Sequence, residues 1–148
     1  MDELYIAFKG KNNTSNQLLS LLPASDKVLL TNSFSGLRRD ISKISFESFR
    51  SVVMFGIDKA LVDSVRIERN AMCKGENRDS TYDIPGLMEK LDNQEIAFTV
   101  SETPTQYLCN EAYFCVLEKC LDAVFIHIPS LRGMTPELMG RLVGCFSV

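Results

Sequence analysis

The chain has 148 residues, of which 45% are hydrophobic and 24% are charged, and its net charge is −3. These values are typical of an ordinary globular domain, so we expect residues 1–148 to form a single domain with a sizeable core. The acidic balance and the scattered basic residues argue against nucleic-acid binding. No apolar run reaches the roughly 18 residues that a membrane-spanning helix needs.

The cysteine content indicates a reducing environment. Five cysteines, an odd number at irregular spacings, are typical of free thiols rather than a disulfide framework, so we expect a cytoplasmic protein. The first residues place acids before the apolar run, without the positive segment of a signal peptide. The chain has no Cys-x-x-Cys pair and only one histidine, which argues against a structural zinc site.

In the first half of the chain, short apolar runs alternate with helical patterns. The runs predict strands at residues 4–8, 27–31 and 51–56. Residues 12–23 predict a helix with Thr14 or Ser15 as its N-cap and Pro23 as its stop. Residues 33–44 predict a second helix, which Gly36 weakens.

The second half begins with alternating apolar and polar residues at 65–71, which predict a half-exposed strand. One face of this strand would carry Val65, Ile67 and Arg69, and the other Arg66, Glu68 and Asn70. Residues 73–83 are polar and predict a loop. Next come a helix at 84–93, a strand at 96–101, a long amphipathic helix at 107–121, a strand at 123–128 and a helix at 135–146. Thr135 and Pro136 suit the N-cap and first position of the last helix.

Strands that alternate with helices predict an α/β fold. Because the strands are short and almost continuously apolar, we expect a three-layer α/β/α sandwich with a mostly parallel central sheet. In such sheets ligands bind beyond the carboxyl ends of the strands. The residues that follow the strands are therefore the first candidates for a functional site.

Cys109 and His127 are the strongest of these candidates. Cys109 lies on the first turn of the helix at 107–121, and His127 lies near the end of the strand that this helix leads into. A right-handed crossover between the two flanking strands would bring both residues to the same sheet edge. A helix N-terminus lowers a thiol pKa, and its N–H groups can stabilise an oxyanion. His127 could then accept the thiol proton, oriented by a nearby acid.

Structural explanations fit the same residues. A free cysteine is commonly a small buried hydrophobe, and a histidine that ends a strand is commonly a satisfied core residue. Glu68, on the polar face of a half-exposed strand, would ordinarily be solvated, with Arg66 or Arg69 as its surface partner. The spacing of these residues leaves both explanations open.

The segments "VSETPTQYLCN" and "FIHIP" resemble the pyroglutamyl peptidase I family of cysteine peptidases. In that family a strand ending in Val-Ser-x-Thr leads through an aromatic residue to Cys-Asn, and the histidine lies in a Phe-Ile-His strand that precedes a proline. The matching residues are Val100, Ser101, Thr103, Tyr107, Leu108, Cys109, Asn110, Phe125, Ile126, His127 and Pro129. A second segment, "IERNAMCKGENR", is similar to the family's Glu-Arg segment through Glu68, Arg69, Ala71 and Arg78.

The resemblance implies a phosphorylase/hydrolase-like α/β/α sandwich. It also implies a triad with Cys109 as nucleophile, His127 as general base and acid, and Glu68 as the orienting acid. It also implies supporting or substrate-binding residues, which are Phe8, Asn13, Arg78 and Asn110. The substrate would be a peptide with an N-terminal pyroglutamate or a related small amide, and the chemistry needs neither a metal nor an organic cofactor. The charge and hydropathy patterns predict no nucleic-acid or membrane partner. Several members of the family form homo-oligomers.

The chain also departs from the family pattern. It is shorter than the family members, with length missing between Arg78 and Ile84 and between Leu131 and Thr135. The segment "AFKGKNNTS" holds only one of the two phenylalanines of the family's binding pocket. Pro104-Thr105 replaces the Ala-Gly before the cysteine. These departures favour a second hypothesis, a non-catalytic binding or scaffold protein. A third is a redox-sensing protein with a low-pKa thiol.

Overall fold

The computed structural model describes residues 2–104 and 107–147, so Thr105 lies outside the described residues. The strands are β1 (Glu3–Phe8), β2 (Lys27–Leu30), β3 (Ser51–Ile57), β4 (Val65–Glu68), β5 (Asn70–Cys73), β6 (Glu76–Asp79), β7 (Phe98–Ser101) and β8 (Ala123–Ile128). The helices are α1 (Thr14–Leu21), α2 (Phe34–Ser42), α3 (Ile84–Asn93), α4 (Leu108–Lys119) and α5 (Pro136–Cys145), with a 3-10 turn at Phe46–Ser48. Within the described ranges, no helix has the length and hydropathy of a membrane span.

The central sheet has the strand order β2-β1-β3-β8-β4-β7. The first four strands in this order run parallel, whereas β4 runs antiparallel to β8 and parallel to β7. The prediction of a mostly parallel sheet is confirmed. The predicted crossover between neighbouring parallel strands is wrong, because β4 lies between β7 and β8 and these two strands run in opposite directions.

Helices cover both faces of the sheet, which confirms the layered α/β prediction. Leucines of α1, α3 and α5 pack in one core cluster, and apolar residues of α2 and α4 pack in the other. Strand β8 shows the alternation that this arrangement requires: Ile126 belongs to the first cluster and Phe125 to the second. Both are almost fully buried.

The helix caps agree only in part with the sequence pattern. Thr135 caps α5 as predicted, because its hydroxyl accepts the N–H of Leu138 at 3.0 Å. The prediction of Thr14 or Ser15 as the cap of α1 is wrong. Asn13 is the cap, and its side-chain oxygen accepts the N–H of Ser15 at 2.9 Å, since asparagine caps as well as serine does.

The segment after β4 also differs from the prediction. The expected continuous strand at 65–71 is broken at Arg69, so that β4 joins the central sheet and β5 does not. The expected polar loop at 73–83 contains β6, which pairs with β5 as an antiparallel hairpin. Lys74 and Gly75 form the turn with φ values of 50° and 81°, a conformation typical of tight hairpins.

Tyr113 of α4 is hydrogen-bonded to the last residue of β4, where the chain leaves the central sheet. Its buried hydroxyl donates to the carbonyl oxygen of Glu68 at 2.8 Å. Removing that hydroxyl leaves a buried carbonyl without this donor, so we expect Tyr113→Phe to lower the free energy of unfolding by about 1–3 kcal/mol. Urea denaturation would measure the change. Tyr107→Phe, at a ring that is 78% exposed, is the control and should have little effect; equal stability of the two variants would contradict this role.

Candidate active site

The antiparallel pairing of β4 with β8 brings Glu68 to His127. In this register Arg66 lies opposite His127 and Glu68 lies opposite Phe125, so these side chains project from the same face of the sheet. The Nδ1 atom of His127 is 2.8 Å from Oε2 of Glu68, and each residue is only 4% exposed. The predicted half-exposed strand is therefore wrong at Glu68. The hydroxyl of Tyr113, which bonds to its carbonyl, is one of the groups that covers it.

Cys109 is placed at the same edge by the start of α4. The N-cap residue, Tyr107, makes no side-chain hydrogen bond to the helix, and among the described residues no other side chain caps the N–H groups of the first turn. The sulfur lies against Gly56 of β3: a Cβ added to Gly56 would be 2.7 Å from Sγ of Cys109 and 2.5 Å from the ring of Phe125. Gly56 is the register partner of His127 on β8.

These residues line a very small cavity. Its walls are Glu68, Asn70, Pro104, Cys109, Asn110, Tyr113, Phe125 and His127, and its volume is about 10 Å³. That is room for about one water molecule. Among the described side chains no hydrogen bond joins the Cys109 thiol to the His127 ring. The geometry therefore has nucleophile, base and acid around one small cavity.

An ion-pair network surrounds His127. Nε of Arg66 donates to Oε2 of Glu68 at 2.6 Å, and Nη2 donates to Oδ2 of Asp58 at 2.7 Å. The same Nη2 is 3.2 Å from Nδ1 of His127. A guanidinium only donates hydrogen bonds and a carboxylate only accepts them. Nδ1 can therefore either accept from Arg66 or donate to Glu68, but not both at once. The shorter contact, to charged Glu68, assigns a proton to Nδ1 and leaves the Nε2 lone pair available as a base.

The electrostatics of Cys109 differ from the expectation at a helix N-terminus. Burial raises the pKa of the thiol to about 12, and the carboxylates of Asp58 and Glu68 add to the rise. The N–H of Ile57 and the guanidinium of Arg66 offset only part of it. The expected low pKa is wrong for the free protein, because loss of solvent outweighs the helix end. Cys109 is a neutral thiol at rest.

Four of the seven predicted site residues lie together around the cavity, which are Glu68, Cys109, Asn110 and His127. Asn110 also docks the β5–β6 hairpin onto α4. Its side-chain oxygen accepts the N–H of Met72 at 3.1 Å, and its amide nitrogen donates to the Met72 carbonyl at 2.6 Å. A role for Asn110 in substrate binding stays a prediction.

The other three predicted residues do not line this cavity. Phe8 is 3% exposed and packs in the core on the α4 side of the sheet. Asn13 caps α1. Arg78 lies over the ring of Phe114, with its Cζ atom 3.9 Å from the ring centroid, and donates to the Phe114 carbonyl at 3.1 Å. Their predicted contacts with substrate remain untested.

Sequence interpretation missed two residues of the site and misplaced one. Asp58 and Gly56 are not among the predicted site residues, although both lie at the end of a buried strand, where functional residues concentrate in α/β sheets. Arg66 is predicted, as an alternative to Arg69, to be a surface partner of Glu68. It does pair with Glu68, but its side chain is only 19% exposed and it also bridges to Asp58.

Gly56 provides the space in which Cys109 and Phe125 meet. Because a Cβ at this position would overlap both side chains, we expect Gly56→Ala to lower the free energy of unfolding by about 1–3 kcal/mol. Gly140→Ala is the matched control, because Gly140 is exposed within α5 and a Cβ there meets nothing within 4 Å. This substitution should raise the free energy of unfolding by about 0.5–1 kcal/mol. Thermal or urea unfolding measures both, and a neutral Gly56→Ala would contradict the close contact.

Comparison with known proteins identifies the fold. No protein-family model matches the chain, and no curated protein matches it. Solved structures of pyrrolidone carboxyl peptidases do match. The enzyme from Thermus thermophilus has 17% sequence identity and a TM-score of 0.80, with 98% of this chain and 97% of that chain covered.

Two further structures agree. The enzyme from Fervidobacterium islandicum AW-1 has 17% identity and a TM-score of 0.76, covering 98% of this chain and 94% of that chain. The enzyme from Thermococcus litoralis has 16% identity and a TM-score of 0.73, covering 99% and 93%. At these identities the similarity establishes the architecture. This chain has the pyrrolidone carboxyl peptidase fold, as the sequence resemblance implied.

Proposed function

We propose that this protein is a cysteine-type hydrolase that removes an N-terminal pyroglutamyl residue or cleaves a related small amide. The observation that carries the proposal is the buried 2.8 Å hydrogen bond between His127 and Glu68, with Cys109 on the wall of the same cavity. These are the residue types and the chain order of the triad that the resemblance implies. The structural neighbours are named pyrrolidone carboxyl peptidases.

The first half of the proposed reaction forms a thioester. Glu68 holds Nδ1–H of His127, and Nε2 takes the proton from Sγ of Cys109 as the sulfur attacks the carbonyl carbon. The carbonyl electron pair moves to the oxygen, which the first-turn N–H groups of α4 can stabilise. When the tetrahedral intermediate collapses, the C–N bond breaks and His127 gives its proton to the leaving amine.

The second half returns the thiol. A water molecule attacks the thioester carbon while Nε2 of His127 takes one of its protons, and the C–S bond breaks. The proton then passes to Sγ of Cys109, and the carboxylic acid product leaves. Each step uses side chains and water, with a peptide or small amide as the partner. Because the resting thiol is neutral, its proton has to move to His127 as the sulfur attacks.

Asn70 offers a means of holding the substrate. Its amide nitrogen donates to Asn77, whose own amide donates to Asp79, and this chain fixes the orientation of the Asn70 side chain. Its buried Oδ1 has no hydrogen-bond partner among the described residues, and Asn70 lines the cavity beside Cys109. A buried acceptor of this kind suits a substrate N–H, such as that of a lactam ring.

The alternative function is a non-catalytic binding protein, and two observations favour it. The cavity of about 10 Å³ has no room for a five-membered ring unless its lining side chains move apart. The Cys109 thiol is buried and neutral. The same raised pKa argues against a redox sensor, because such cysteines are exposed and low in pKa.

Release of a fluorescent amine from its pyroglutamyl amide would test the hydrolase proposal. We expect activity in the unmodified protein and none above background for Cys109→Ala. His127→Gln should lose roughly 10²–10⁴-fold in kcat, because the general base is gone. Glu68→Gln should lower kcat with little change in KM, because it disturbs only the orientation of the ring.

Cys120→Ser is the matched control, since it removes a half-buried thiol at the other end of α4 and should keep full activity. Activity that survives Cys109→Ala would contradict the assignment of the nucleophile. A well-folded protein with no activity on pyroglutamyl or other small amides would favour the binding-protein alternative.

The raised pKa of Cys109 predicts how the free protein reacts with iodoacetamide. With a pKa of about 12, only roughly one thiol in ten thousand is ionised at pH 8. We expect the modification rate at Cys109, followed by peptide mass spectrometry, to rise about tenfold per pH unit between pH 8 and 11. The urea-unfolded chain should react much faster at pH 8. A fast rate that is independent of pH above 7 would instead indicate a resting thiolate.

A further inference from the structure

Arg66 lies between two carboxylates beside the histidine of the proposed triad. It contacts Oε2 of Glu68 at 2.6 Å and Oδ2 of Asp58 at 2.7 Å, and its Nη2 is 3.2 Å from Nδ1 of His127. The side chains of Arg66 and Asp58 are 19% and 23% exposed, and that of Glu68 is 5% exposed. These charges are therefore poorly screened by solvent.

The position of Asp58 is fixed by the backbone around it. Its N–H donates to the carbonyl of Ile128 at 3.0 Å, which ties the end of β3 to the end of β8. Its Oδ1 accepts the N–H of Ala60 at 2.9 Å. Burial by itself would raise the pKa of Asp58, but the Ala60 N–H and the Arg66 guanidinium outweigh it, so the pKa lies below its ordinary value. Asp58 is a charged, rigid anchor for Arg66.

The sum of these charges decides whether the imidazole stays neutral. Asp58, Arg66 and Glu68 together carry one negative charge, which a protonated ring would neutralise. Without Arg66 the ring would face two negative charges in a poorly solvated site, and they would hold a proton on it. The groups that face the ring from α4 are the Cys109 thiol and the Tyr113 phenol, which stay neutral because burial raises the pKa of both.

We propose that Arg66 is a positioning residue of the triad: held by Asp58, it fixes Glu68 and offsets one carboxylate, so that His127 stays neutral and able to accept the thiol proton. This inference rests on the proposed function. When the S–H bond of Cys109 breaks and the Nε2–H bond forms, the new positive charge on the ring meets the single remaining negative charge of the network. Arg66 itself contacts no reacting atom.

The single histidine of the chain makes this proposal directly measurable. Nitrogen-15 NMR of histidine-labelled protein reports the charge and tautomer of His127 alone, with or without enzymatic activity. We expect Arg66→Met to move the protonation of the ring to higher pH by about one to three units. Asp58→Asn should move it to lower pH. The double variant has the native charge sum again and should titrate near the unmodified protein.

Two further variants separate this role from a structural one. Arg66→Lys keeps the charge and should restore most of the native titration, although one ammonium cannot bridge both carboxylates as the guanidinium does. Arg69→Met removes the exposed neighbouring arginine, whose nearest carboxylate, on Glu102, is 3.8 Å away, and should leave the titration unchanged. If Arg66→Met does not fold, the other two variants still test the proposal. The titration of His127 should move to lower pH in Asp58→Asn and stay near that of the unmodified protein in Arg66→Lys.

The outcomes separate this inference from the proposed function. Titration curves that coincide for Arg66→Met, Asp58→Asn and the unmodified protein would overturn the role of Arg66, whether or not the protein hydrolyses amides. The expected shifts in a protein without hydrolase activity would support the charge arrangement and count against the activity. With activity present, Arg66→Met should lower kcat at pH 6–7 and recover as the pH rises, with KM nearly constant.

Discussion

The hydrogen bond between Glu68 and His127 depends on one feature of the sheet, the antiparallel pairing of β4 with β8. In that register Glu68 is the diagonal neighbour of His127 rather than its direct partner, and a glutamate is long enough to span the diagonal. A shift of one residue would turn Glu68 to the opposite face. The direct partner is Arg66, which explains why the guanidinium and the carboxylate both reach the imidazole.

Burial of this site has two opposite effects on the proposed chemistry. It strengthens the contacts among Arg66, Glu68 and His127, because little solvent screens them. It also raises the pKa of Cys109, so the thiol keeps its proton. Gly56 contributes to this burial. Because it has no side chain, the sulfur of Cys109 and the ring of Phe125 approach β3 closely, and little free volume is left in the cavity.

Sequence patterns located most elements of the fold but not their directions. Apolar runs predict five of the six strands of the central sheet, all but β4, because burial between two helical layers favours continuous apolar residues. The hairpin β5–β6 has no such requirement: the polar and mostly exposed residues "ENRD" of β6 form no hydrophobic pattern, so the sequence predicts a loop there. The antiparallel direction of β4 depends on how the chain between β3 and β4 turns, which periodicity does not encode.

For the site, too, local sequence patterns predict some residues and miss those that long-range contacts bring in. Periodicity placed Cys109 and His127 near strand and helix ends, but Glu68 came from the motif resemblance alone, because its alternating strand indicated solvent. Asp58 carries no local signal beyond its position after a strand. What brings it into the site is a long-range contact through Arg66, and pairings between distant segments follow from the three-dimensional arrangement rather than from any window of sequence.

The desolvation penalty of burying Glu68 beside His127 is relevant to the proposed function. Phe8, Asn13 and Arg78 have structural roles in packing, capping and stacking that need no ligand. Glu68 and His127 have no comparable role. Burying a carboxylate beside an imidazole carries a desolvation penalty, and apolar residues of similar size at such sites often give equal or greater stability. Stability alone therefore does not explain these two residues beside a buried cysteine, whereas the proposed acyl transfer uses all three.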